Sequence, residues 1–223
     1  MKNADVFEFF HRLAESNPAP ETELEYVNPY TLLVAVALSA QATHVGVNKA
    51  TRKLFAEVRT PQQMLDLGEE GLKQRIRTIG LYNTKAKNVI AAARILVDEF
   101  DGEIPREREK LERLPGVGRK TANVVLNVAF GKPTIAVDTH IFRVSNRTGL
   151  ARGKTPLAVE QKLEKAVPES FIHGAHHWLI LHGRYICKAR TPECWRCPVA
   201  DLCAYEPKTP PPKIKSSAAP TAG

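Results

Sequence analysis

Two helical patterns meet at Gly116-Val117-Gly118, and a turn that short between helices commits the surrounding chain to a helical bundle. The missing Cβ at the two glycines permits positive φ and lets a phosphate come close to the backbone. After the turn, Arg119 to Phe130 reads as one helix. Its run Val124, Val125, Leu126, Val128, Ala129 and Phe130 is apolar nearly all round, as in a buried helix. Lys120 falls in the first turn of that helix, where the positive end of the dipole opposes an ammonium and partial burial would add to the effect. It is a candidate nucleophile as well as an ordinary solvated lysine. Gly131 and Pro133 end the helix, and Asp138 precedes the next pattern, through Ile141, Phe142 and Val144. Its carboxylate is placed to cap that helix, to work opposite Lys120, or both.

The other periodic segments agree. Asn28 and Pro29 occupy cap and first-turn positions of a helix running through LLVAVAL; Thr43 starts another with Val47, Ala50, Leu54 and Phe55 on one face. Thr60, Pro61 and Gln63 form a capping box. The spacing predicts a helix over Asn83 to Phe100 with Ala86, Val89, Ile90, Ala93 and Val97 inward and Lys85, Lys87 and Arg94 elsewhere. No pair of alternating strands is joined by a hairpin signal, so the fold class is all-α.

A formal net charge of +8 and a pI near 9.4 favour a polyanionic partner, DNA or RNA before an acidic membrane surface. The longest apolar run, Leu32 to Leu38, is too short to span a bilayer, and the amino terminus has no secretory pattern. A soluble, intracellular, cytoplasmic protein is expected. All four cysteines, Cys187, Cys194, Cys197 and Cys203, fall in one short segment with six, two and five residues between them. In a reducing compartment that clustering points to a metal, and the spacing leaves both zinc and an iron–sulfur cluster open. From Glu206 the chain turns Pro-rich and basic, with too little apolar content to fold.

The combination of LPGVGRKTA, VDTH and C-x6-C-x2-C-x5-C resembles the endonuclease III branch of the helix-hairpin-helix DNA glycosylases. The likeness runs from about Asn28 to Cys203 and takes in LSAQAT at Leu38 to Thr43, IGLYN at Ile79 to Asn83, and HHWLILHGRYIC ending at Cys187. It implies two helical lobes with the DNA-binding cleft between them. One lobe, 22–133, contains the hairpin at about 107–130; the other combines 1–21 with 134–205, and 206–223 forms a disordered tail. It implies one [4Fe-4S] cluster on the four cysteines.

The resemblance also implies a monomer acting on double-stranded DNA that carries oxidised pyrimidines or abasic sites. Lys120 matches the family's nucleophile and Asp138 its aspartate. Gln41 and Leu81 match segments that wedge into the gap left by an extruded base. The expected DNA contacts further include Gly116, Val117, Gly118, Arg119 and His140, with Lys188 and Arg190 on the cysteine loop. The implied activity is bifunctional: base excision through a lysine Schiff base, then β-elimination 3′ to the abasic site. The alternatives are an adenine-type monofunctional glycosylase and a non-catalytic hairpin module. The first typically lacks the lysine, and the second leaves the pairing of Lys120 with Asp138 unexplained. One position departs from the family: His44 stands where an acidic residue is usual, beside Gln41 and apart from the chemical groups.

Overall fold

The computed structural model describes residues 1–212, and among them the secondary structure is helical, without strands. Ten α-helices follow one another: α1 (Asn3–Ser16), α2 (Pro29–Leu38), α3 (His44–Glu57), α4 (Pro61–Ile76), α5 (Tyr82–Phe100), α6 (Arg108–Glu112), α7 (Arg119–Phe130), α8 (Thr139–Thr148), α9 (Pro156–Ala166) and α10 (Ile172–Tyr185). Their starts are fixed by local chemistry. Asn28 accepts from the Thr31 backbone N–H while the Thr31 hydroxyl accepts from the Asn28 N–H, both at 2.9 Å. Thr60 and Gln63 make the same reciprocal pair at the head of α4, and Thr43 caps α3 through the Gly46 N–H. Each such cap contributes about 1 kcal/mol and sets which residue begins the helix.

Two apolar cores result. The first gathers α2 to α7 around Leu32, Leu38, Leu54, Leu72, Leu96 and Val125; the second gathers α1 and α8 to α10 around Phe9, Phe10, Ile141, Leu163 and Leu179. A charged link joins them: Arg119 at the start of α7 donates from Nε and Nη2 to Glu160 Oε1 on α9, at 2.9 and 2.6 Å, and Glu160 is buried. Across the second core, the Trp178 indole N–H donates to the Asn17 carbonyl at 2.8 Å, so α10 fixes where α1 ends.

Helix α5 buries Ala86, Val89 and Ala93 as expected, but its buried face is wider than the reading gave. Its buried residues are Lys85, Ala86, Val89, Ala92, Ala93 and Leu96, and Val97 lies only partly covered. The buried face is therefore wider than expected, adding 85, 92 and 96 to 86, 89 and 93, with a lysine at its head where the sequence reading put that lysine elsewhere. The extension after Glu206 also starts bound, because Lys208 Nζ donates to the Cys203 and Tyr205 carbonyls at 2.8 and 2.6 Å. These bonds hold its first residues against the cysteine loop, contrary to a segment loose from Glu206 onward. Residues 213–223 of that segment lie outside the described residues.

Inside α10, His176 is buried against His177, edge to face at 5.0 Å, and its Nδ1 has no partner. Burial first, then the His177 and Lys120 charges, push it down to about 3. The folded protein thus keeps this ring neutral while the unfolded chain protonates near 6.5. Stability from His176 is full above that value and is lost as pH falls. Lowering pH from 7 to 5 is expected to cost about 2 kcal/mol through this residue. Denaturant titrations of the wild type and His176→Phe at both pH values check it. The pH effect shrinks by that amount in the variant; identical pH effects in the two proteins contradict it.

Candidate active site

The turn before α7 is built by Gly116, whose φ of +79° suits glycine and whose added Cβ would come within 3.1 Å of Asn88. Gly118 differs from its expectation. Its φ of −94° is open to any residue, and an added Cβ would meet nothing within 4 Å. What its missing side chain secures is clear space over the first amides of α7, which suits a phosphate at a helix amino terminus. Val117 is buried and offers only backbone to a ligand.

Lys120 follows as the second residue of α7, and Asp138 caps α8, its Oδ1 accepting from the His140 and Ile141 N–H groups at 2.9 and 2.8 Å. The carboxylate's other oxygen has no hydrogen-bond partner among the described residues. Both residues line one cavity of about 840 Å³, with Lys120 brought by the first core and Asp138 and His140 by the second. A volume of that order accommodates a nucleoside-sized group. Lys120 is exposed on this wall, so burial adds nothing to the helix-dipole effect there. The first turn of α7 emerges from its core at the cavity edge.

His44 corrects the sequence reading more sharply. Thr43 caps α3 and turns His44 into the same cavity as Lys120 and Asp138, so it stands among the chemical groups. Its Nδ1 lies 3.5 Å from Arg184 Nη1 and 3.7 Å from Glu23 Oε2. Arg184 and Glu23 form an ion pair, and the Tyr185 hydroxyl donates to the other Glu23 oxygen. Burial and the nearby Lys120 ammonium lower the His44 pKa, outweighing the opposite pull of Asp138. A neutral imidazole faces the cavity. Glu23, Arg184 and Tyr185 went unnoticed in the sequence because nothing in their spacing relates them to residue 120.

The other expected contacts scatter. Gln41 and Leu81 are exposed and share left-handed backbone, φ +54° and +59°, a conformation that costs a non-glycine residue on the order of 1–3 kcal/mol. Both line a second cavity of about 180 Å³. Arg119 is held by Glu160 and Lys188 by Glu193, the latter at 2.5 Å, while Arg190 is exposed. His140 lines the main cavity with its Nδ1 3.3 Å from Arg143 Nη2.

Cys187, Cys194, Cys197 and Cys203 line one void below α10. Burial pushes the Cys197 thiol up to about 11 and raises Cys203, so these sulfurs become thiolates only beside a cationic centre. Among the described residues no three His, Cys, Asp or Glu side chains close on a single ion. Four sulfurs around a shared void suit a larger, polynuclear centre, and an all-thiolate donor set is the one iron–sulfur clusters take.

Comparison with known proteins agrees with this geometry. Residues 34–169 match the HhH-GPD superfamily of base excision DNA repair proteins, and residues 187–203 match the iron-sulfur binding domain of endonuclease III. The chain is 60% identical over 208 residues to Endonuclease III of Haemophilus influenzae and to that of Escherichia coli K12, covering 93% of this chain and 99% of each relative. A solved structure of a trapped endonuclease III–DNA covalent intermediate, an estranged-adenine complex, superposes with a TM-score of 0.85 at 46% identity, over 91% of this chain and 96% of that one.

Proposed function

We infer the reaction from the premise that this chain belongs to the endonuclease III family of HhH-GPD base excision DNA repair proteins. It is a DNA glycosylase and AP lyase that acts on duplex DNA and holds one [4Fe-4S] cluster on its four cysteines. The observation that carries the assignment of residues is the placement of Lys120 and Asp138 on two walls of one nucleoside-sized cavity.

A duplex hides C1′ of the sugar, so the damaged nucleotide is extruded into the cavity before chemistry begins. The Lys120 ammonium gives up a proton to solvent and its amine attacks C1′. A C1′–N bond forms to the lysine, and the bond to the oxidised pyrimidine breaks, its electron pair leaving with the base, which takes up a proton. The free oxygen of Asp138 stabilises positive charge on the sugar as this bond breaks. The lysine nitrogen gives up one proton to solvent; the C1′–O4′ bond then breaks as the ring oxygen takes up a proton from solvent, leaving a protonated imine between Lys120 and C1′. That imine acidifies the C2′ hydrogen; the C2′–H pair forms the C2′=C3′ bond, and the 3′ phosphate leaves. Water then releases Lys120. Cys187, Cys194, Cys197 and Cys203 would hold the cluster, which would fix the loop carrying Lys188 and Arg190.

Working on DNA places the protein inside the cell. A duplex with one thymine glycol and an intact duplex of the same sequence test the reading. Wild-type protein is expected to cut only the first, at the lesion, leaving the unsaturated sugar on the 3′ end. Binding without cleavage of either would leave only a hairpin module.

A further inference from the structure

Once Lys120 is held in the imine, β-elimination still needs a base for the C2′ proton. His44, the first residue of α3, lines the same cavity of about 840 Å³ as Lys120 and Asp138, and its side chain is 24% exposed. The two ring nitrogens face different surroundings. Nδ1 looks back towards Arg184 Nη1 and Glu23 Oε2, at 3.5 and 3.7 Å. Nε2 has no hydrogen-bond partner among the described residues and is not buried, which leaves it open to a sugar in the cavity. Behind the ring, Glu23 is fixed by Arg184 and by the Tyr185 hydroxyl. The remaining charged or titratable groups facing the imidazole are Lys120 on α7 and Asp138 and His140 on α8. Residue 44 is also where this chain departs from the acidic residue usual in its family.

We propose that His44 is the base of the lyase step, its Nε2 taking the C2′ proton from the sugar bound to Lys120. This rests on the reading above, in which Lys120 forms the imine. The C2′–H electron pair becomes the C2′=C3′ bond, the C3′–O pair leaves with the 3′ phosphate, and the proton ends on Nε2. The imidazolium returns it to solvent once the product has left. Nε2 offers a lone pair when the neutral ring carries its proton on Nδ1, and the Glu23 carboxylate on that side favours this form. The same carboxylate, with Asp138, then balances the charge of the imidazolium. Burial and the Lys120 charge lower the His44 pKa, so the ring is neutral and able to accept at neutral pH. C2′ is bonded directly to C1′, so a base beside Lys120 in the cavity is placed to reach it.

Single-turnover reactions on a duplex with a pre-formed abasic site separate the two steps, imine formation being read by borohydride trapping and elimination by strand cleavage. His44→Asn keeps an amide where Nδ1 stands and removes Nε2. A positioned general base contributes about 10²- to 10⁴-fold. Strand cleavage by His44→Asn is therefore expected to slow at least about 100-fold, while the trappable adduct persists longer than in wild type. Deuterium at C2′ slows the variant further, because proton removal limits it. His44→Gln, which fills more of the ring's space, gives the same outcome. Residue 44 lies outside both apolar cores, so either amide leaves the thermal midpoint unchanged. Wild-type cleavage rates in both variants overturn the proposal. So do adduct and cleavage falling in step, or a slow variant indifferent to deuterium. Wild-type protein that gives neither adduct nor cleavage instead overturns the function reading, and this proposal with it.

Discussion

Replacing Lys120 with alanine is expected to lower single-turnover base excision by at least about 10⁴-fold, the scale seen when a nucleophile that forms a covalent intermediate is removed. Strand cleavage at a pre-formed abasic site should fall with it, because the same imine drives both steps. The fold is expected to stand. Lys120 is exposed in the first turn of α7, alanine is the best helix former, and a cation there is unfavourable to the helix. Thermal unfolding should therefore show a midpoint no lower than the wild type, and binding to an uncleavable abasic analogue should change only a few fold. Loss of folding or binding in step with activity would make Lys120 a structural or phosphate-binding residue.

Asp138→Asn is the second large effect. Asparagine caps a helix as well as aspartate, so the Oδ1 bonds to the His140 and Ile141 amides survive and stability changes by less than about 1 kcal/mol. The negative charge beside the reacting sugar is removed. Excision is expected to fall about 10²- to 10³-fold, the range for losing one pre-organised electrostatic group, with little change in DNA affinity. Asp138→Ala should add to this a stability loss of about 1 kcal/mol from the missing cap. An Asn variant with full activity would confine Asp138 to capping. Rates of excision, affinity for an abasic-analogue duplex and denaturant midpoints separate these outcomes.

Much of this architecture was legible in the sequence because its signals are local. Caps at Asn28, Thr43, Thr60 and Asp138 name their own helix starts, and the hairpin and the cysteine spacing are each contained in a short segment. What escaped depended on tertiary placement. His44 reads as a neighbour of Gln41 along the chain, yet the first turn of α3 sends the two side chains to different cavities. Lys85 was put on the solvent side by charge alone. The buried face of α5 is wider than the pattern suggested and takes in its flank at 85, 92 and 96, and how wide a buried face runs is what helical periodicity leaves undecided. Arg119 looked free for phosphate because its partner Glu160 lies 41 residues away. Gly118 was matched to Gly116 by residue type, but only Gly116 has the backbone that demands glycine.

The central claim is that the Lys120 amine bonds to C1′, and trapping that bond tests it directly. Wild-type protein mixed with a thymine-glycol duplex in the presence of borohydride, then digested and mapped by mass spectrometry, is expected to carry the reduced sugar remnant on Lys120. A remnant on any other lysine, or a wild-type protein that excises the base and leaves no trapped adduct, would contradict it.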